Sequence, residues 1–182
     1  GSYRGLFAPT ENDFDGNAQL FTGESTYSRA STAHVLGEEA SRALRKLSQY
    51  DEEFGSIADD ADHELFECCL SKREKAGGHC CGICTVSFWR NITSGGLKDL
   101  DKETELEAGM ELLKSRREGN GRWRRFPYYY TLLALCEIGT ASSKAELEYS
   151  VPAAERALKH LGKNKPYSSR RLHILKRTLS FA

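Results

Sequence analysis

Tyr128-Tyr129-Tyr130-Thr131-Leu132-Leu133-Ala134-Leu135-Cys136-Glu137-Ile138 decides the fold class. Wound as a helix, this stretch keeps almost no polar face. A helix apolar all round must be enclosed by other elements. The rest of the chain supplies helices to enclose it. Upstream, Tyr27, Ala30, His34, Ala40, Ala43, Leu44, Leu47 and Tyr50 follow a 3.6-residue period from Ser25 or Thr26 onward. A second helix is predicted to open over Ser56–Asp60, to bury Ala61, Leu65, Phe66, Cys69 and Leu70, and to end at Gly77-Gly78. A third runs from about Ile83 through Val86, Trp89 and Ile92 to Gly95-Gly96. A fourth starts near Asp101, buries Leu106, Met110 and Leu113, and finishes at Arg116-Arg117, a charge order that suits the helix dipole. After the apolar stretch, a sixth helix from Ser142 or Ser143 to Leu161 carries Pro152, which predicts a kink or break. A seventh, from Ser168 to about Leu179, presents Leu172, Leu175 and Leu179. The expectation is an all-α protein of about seven helices, with an irregular N-terminal arm over 1–25 and one helical repeat domain over 26–182.

Bulk properties fit that reading. The chain has 182 residues, enough to bury a sizeable core, and only four prolines to interrupt helices. No apolar run approaches the ~20 residues of a membrane span. The six cysteines include the adjacent pairs Cys68-Cys69 and Cys80-Cys81, poor disulfide geometry. No export signal accompanies them, so a reducing, cytoplasmic setting is expected, and the sequon at Asn91 carries no chemistry there. Formal net charge is zero but split: residues 1–112 hold 11 Lys/Arg against 21 Asp/Glu, and residues 113–182 hold 15 against 5. Such a split fits an anion-binding half, a scaffold that recognises a protein partner through its charged halves, or halves that face each other. In the arm, Glu11, Asp13, Asp15 and Gly16 fall at calcium-loop positions, yet Thr22 stands where a bidentate Glu belongs, so an Asx-rich turn is expected.

Internal similarity is the next signal. Leu70 to Cys80 can be laid on Leu113 to Trp123 at a spacing of 43, and a helix follows each, Thr85–Arg90 in one and Thr131–Cys136 in the other. A fainter third copy starts at Leu158 and runs through Asn164 to Tyr167. Each unit reads as a basic-ended helix, a Gly-containing loop and a more buried helix, that is, a stacked hairpin. Arg117, Asn120, Gly121 and Trp123 stand where Gln-x-x-Asp-Gly-x-Trp would place its Gln, Asp, Gly and Trp. The pattern over 65–162 thus resembles the α/α-toroid repeats of squalene/hopene cyclases and protein prenyltransferase β subunits. The resemblance implies a partial α/α-toroid-like architecture, completed by a second chain if an oligomer forms, and a class that includes zinc enzymes. It does not extend to catalytic strings. No Asp-x-Asp-Asp occurs, and in Asp59-Asp60-Ala61-Asp62-His63-Glu64 a histidine takes the last place of Asp-Asp-x-x-Asp.

Two constellations could carry chemistry. His79, Cys80, Cys81 and Cys84 cluster at the mouth of the third helix, and Cys68-Cys69 close the second. Cys81-x-x-Cys84 has zinc-knuckle spacing, and His79 with Cys68 or Cys69 could complete a tetrahedral site, with zinc as cofactor. The same pair could serve as a redox dithiol, since a helix N-terminus favours thiolate. A zinc-dependent or thiol enzyme would use this cluster with His63 or His79 nearby. Alternatively the cysteines are small packing residues. The second constellation is basic and aromatic: Lys114, Arg116, Arg117, Arg122, Arg124 and Arg125 flank Trp123, with Tyr128, Tyr129 and Tyr130 beyond. Arginine forks and aromatic faces can hold a diphosphate head, a nucleic acid or an acidic peptide. The leading expectation is a ligand- or peptide-binding groove walled by Trp89, Trp123 and Tyr128–Tyr130 and rimmed by Arg122, Arg124 and Arg125, for a small apolar or anionic ligand. The alternative puts the aromatics in the core.

Overall fold

The computed structural model describes residues 2, 3, 6, 7, 9–14, 18–162 and 165–181. Asp15 and Gly16 of the calcium-like pattern, and Asn164 of the third repeat copy, lie outside them. Among the described residues the protein is all-α, with seven α-helices: α1 Arg29–Leu47, α2 Glu52–Leu65, α3 Gly82–Thr93, α4 Lys102–Lys114, α5 Tyr128–Ile138, α6 Ala141–Lys159 and α7 Ser168–Phe181. A pair of two-residue strands, Ser2–Tyr3 against Leu6–Phe7, forms a short antiparallel ladder. No helix among the described residues is long and apolar enough to cross a membrane.

The helices pack along a central series. α1 meets α3, α3 meets α5, and α5 meets α7, while α2, α4 and α6 flank them. The inner pair is α3 and α5. Ten consecutive residues of α3, Ile83 to Ile92, are buried, and α5 encloses Tyr130, Leu132, Ala134 and Leu135 completely. The all-round apolar character of α5 is therefore the signature of its central position.

Helix ends depart from the sequence expectations for local reasons. α1 begins at Arg29 because Ser28 and Ser31 form a capping box, which leaves Tyr27 outside. The outer edge of α1 runs into water, so Leu47 and, beyond it, Tyr50 are exposed. α2 begins at Glu52, one residue after the Asp51 cap, and ends in a π-helical turn over Phe66–Leu70, well before Gly77. α4 stops at Lys114 because Arg117 pairs with Trp123 across a tight hairpin that turns through Gly119 at φ 77°. α6 passes through Pro152 without a break. The carbonyl that loses its amide partner there belongs to Glu148, an exposed residue that water can serve.

The acidic string on α2 is structural. Asp62, 2% exposed, accepts from Arg45, Asn91 Nδ2 and the Leu97 amide, joining α1, α2 and the end of α3. Asp59 pairs with Arg45 and Lys98, while His63 reaches Asp99 at the surface.

Candidate metal centre and the cleft beside it

The thiol-rich loop is locked before it reaches its helix. Arg73 grips Glu105 of α4 through two nitrogens and also donates to the carbonyls of Leu70 and Gly78. The Gly77 amide donates to the same carboxylate at 2.6 Å, and Trp89 Nε1 donates to the Gly77 carbonyl at 2.8 Å. Gly77 sits at φ 81° with its α-carbon against the α4 backbone at Ala108 and Gly109, so no side chain fits there. The His79 amide then bonds Thr85 Oγ1 at 2.9 Å, which lays His79-Cys80-Cys81 across the first turn of α3.

This loop meets α1. His34, Cys80, Cys84 and His79 each place a ligand atom within 4.8 Å of the others, and this group could hold a metal ion. His34 Nδ1 lies 3.4 Å from Cys80 Sγ and 3.7 Å from Cys84 Sγ, and the two imidazoles stack at 4.7 Å. A tetrahedral zinc with Zn–S of ~2.3 Å and Zn–N of ~2.0–2.1 Å separates its donor atoms by roughly 3.3–3.8 Å, so the two His34–sulfur distances match it. One turn beyond His34, Glu38 is fully buried, with Oε1 3.4 Å from His79 Nδ1. Burial pushes the Glu38 carboxyl above its ordinary range, against the opposing pull of His79 and Ser87. A carboxylate behind a ligand imidazole is the usual outer support of a metal-bound histidine.

Three sulfurs crowd this point. Cys81 Sγ is 3.5 Å from Cys84 Sγ. Hydrogen bonds from Cys80 and Cys84, with help from the Ile83 and Cys84 amides at the start of α3, hold the Cys81 thiol far below its ordinary value. The same sharing pushes Cys80 up to about 11 and raises Cys84 further, aided by burial. A cation held by Cys80 and Cys84 would have to displace their protons. All six cysteines are thiols, none in a disulfide.

A cleft of about 550 Å³ opens beside the sulfurs, lined by Cys80, Cys81, Tyr27 and Phe126 with Arg116, Arg124 and Arg125. Gly82 explains how the arginine loop comes so close. A Cβ there would stand 2.1 Å from the Arg125 carbonyl oxygen.

The sequence expectations divide at this site. His79 and Cys84 enter the donor group as expected, but the second thiol in it is Cys80, with Cys81 adjacent. Cys68 and Cys69 stay on the π-turn outside that group, and Cys68 faces solvent. Trp89, Trp123, Tyr128 and Tyr130 belong to the core and do not wall a groove, because a helix without a polar face must be enclosed. Trp123 Nε1 is satisfied by Glu146. Tyr129 is half-buried under Arg171, whose guanidinium lies 4.6 Å from its ring. Arg122 separates from Arg124 and Arg125. It covers the Tyr128 ring and lines another pocket of about 350 Å³ with Tyr129, Arg156, Lys165 and Arg171. The candidate donor that sequence reasoning missed is His34, noted only as an apolar-face histidine, along with Glu38 behind His79. Their one signal was the His34-x-x-x-Glu38 spacing, which puts both on one helix face.

Comparison with protein-family models, with curated proteins and with solved structures returns no match.

Proposed function

We propose that this chain is a zinc-binding helical domain that holds a small anionic ligand in the cleft beside its metal. The observation that carries the reading is the convergence of His34, His79, Cys80 and Cys84 from two helices and a loop, with Glu38 behind His79. Two thiolates and two imidazoles are a donor set that suits zinc, and the two thiolate charges neutralise it. With His79 Nδ1 turned to Glu38, Nε2 is its donor. Four protein ligands close the coordination sphere, so the metal ties α1 to the start of α3 and fixes the cleft, and does not itself activate water. Three arginines without an acidic residue among the cleft's lining support an anionic occupant. The central series α1, α3, α5 and α7, with α4 and α6 packed against it, supports reading the repeat as stacked α/α hairpins of toroid type.

The test is metal content per chain, followed by cobalt substitution. One zinc per chain and the visible spectrum of tetrahedral, thiolate-bound cobalt are expected, both lost in His34→Ala and Cys84→Ser. A chain that stays metal-free when folded with excess zinc overturns the reading.

A further inference from the structure

The metal set leaves one sulfur over. Cys81 is outside the four-donor group, yet its Sγ is 3.5 Å from that of Cys84. The two thiols differ in access: Cys81 is half-exposed and lines the cleft, whereas Cys84 is buried. Cys81 is the extended N-cap of α3, at φ −155° and ψ 171°, and Cys84 sits in the first turn. Residues three apart at a helix start have α-carbons within the ~4.4–6.8 Å that a disulfide spans. An accessible thiol backed by a buried partner is the layout for attack and resolution in thiol–disulfide exchange. Arg116, Arg124 and Arg125 line the approach.

We propose that the cleft takes a small anionic disulfide, that Cys81 exchanges with it, and that resolution by Cys84 dismantles the metal centre. The proposal rests on the metal reading above and names the occupant of the cleft. In the first step Cys81 Sγ attacks one sulfur of the bound disulfide. A mixed disulfide forms, the substrate S–S bond breaks, and the departing thiolate is protonated from water. In the second step Cys84 Sγ attacks Cys81 Sγ, the mixed disulfide breaks, and the second thiolate leaves and is protonated from water. The substrate disulfide is reduced to two thiols, and Cys81 and Cys84 are oxidised to one disulfide. Cys84 can no longer ligate, and three donors remain for the metal, which is released.

The experiment treats the zinc-loaded full chain with oxidised glutathione, follows zinc with a chromogenic chelator, and maps the disulfide by peptide mass spectrometry. One zinc released per Cys81–Cys84 disulfide is expected. Cys81→Ser should bind zinc as the native chain does but release it only at the background rate. Arg124→Ala with Arg125→Ala should slow release by about tenfold with oxidised glutathione and leave the rate with neutral hydroxyethyl disulfide unchanged. Native-like release from Cys81→Ser, or a disulfide mapped to Cys68 or Cys69, overturns the exchange. Equal slowing with both disulfides overturns the anionic substrate. Should the chain take up no zinc, the metal reading fails alone, and the Cys81–Cys84 disulfide in the metal-free chain still decides the exchange.

Discussion

Glu38 is the residue whose presence most needs a reason. A carboxyl with no solvent exposure and no hydrogen bond of good geometry is costly to keep, and an apolar residue at this place on α1 would pack without that cost. Its polar neighbours are His79, at 3.4 Å, and Ser87. With zinc on His79, the imidazole N–H becomes a strong donor and the carboxylate gains a permanent partner. Glu38→Gln keeps the shape and removes the charge. Zinc affinity is then expected to fall by about 10–100-fold, read by competition with a chelator of known strength, while the metal-free fold melts no lower than the native one. Unchanged affinity would mean that Glu38 does not support the ligand. The sequence pointed to His79 and Cys84 because they lie within one short stretch. It could not pair them with His34, because Cys80 and His34 are 46 residues apart, and only the packing of α1 on α3 brings them together.

Single helices were legible where their pattern owed little to their neighbours. α5 was readable from its continuous apolar run, and α1 from its period, but helix ends set by loop pairing were not. The basic Arg116-Arg117 looked like a helix terminus, whereas the Arg117–Trp123 pairing had already turned the chain back. Two element-scale contacts invite tests. Gly82→Ala would drive a methyl into the Arg125 carbonyl, so α3 and the arginine loop must separate. A loss of about 1–3 kcal/mol in denaturant unfolding is expected, together with slower metal release by oxidised glutathione. At the α1–α3–α5 junction, Arg90, 3% exposed, donates to Glu39 and Glu137, and Tyr130 donates to Glu39 at 2.5 Å. Arg42 adds a second cation on Glu137 at 2.7 Å. Arg90→Ala leaves Glu39 with the Tyr130 hydroxyl and Glu137 with Arg42, and is expected to cost about 2–3 kcal/mol. A double change with Glu137→Gln should recover part of that loss, which a purely steric role for Arg90 would not allow.

Across the whole molecule, the last stretch of the N-terminal arm packs against α5 and α7. Residues 18–26 form a tight loop, closed by Gln19–Ser25 pairing, that buries Leu20 and Thr22. Arg170 and Arg171 of α7 hold the carbonyls of Phe21, Thr22 and Gly23. The reason lies at the start of α5. Pro127 caps that helix without a side-chain acceptor, so its first amides need one from elsewhere. Glu24 supplies it, accepting from Tyr129 and Tyr130, each at 2.9 Å. Nothing in the local sequence of either segment announces this, since the partners are over a hundred residues apart. The charge split has an equally non-local outcome. Among the described residues, the only ion pair joining an acid of 1–112 to a base of 113–182 is the surface pair Glu111–Lys114, so pairs of that kind do not neutralise the basic surplus.

Glu24 also gives this assembly a pH signature. Burial raises its pKa above the ordinary 4.5, outweighing the two amides, Thr22 and Arg171, which lower it. A carboxyl with a raised folded-state value binds its proton more tightly in the fold than in the unfolded chain. Its contribution to stability is therefore full below 4.5 and is lost as pH rises through the raised value. Glu24→Gln keeps one of the two acceptor oxygens used by the α5 amides and removes the titration. Melting temperatures of the native chain and of Glu24→Gln, compared as pH falls from neutrality towards 4.5, should change in favour of the native chain, whatever other carboxylates do to both. A difference that stays constant across that range would mean that Glu24 keeps its water in the fold. Glu24→Ala, which strands both amides, should instead destabilise at every pH, by about 1–3 kcal/mol. Together the two variants separate the charge of Glu24 from its service as the cap of α5, and so test whether the arm is held for its hydrogen bonds alone.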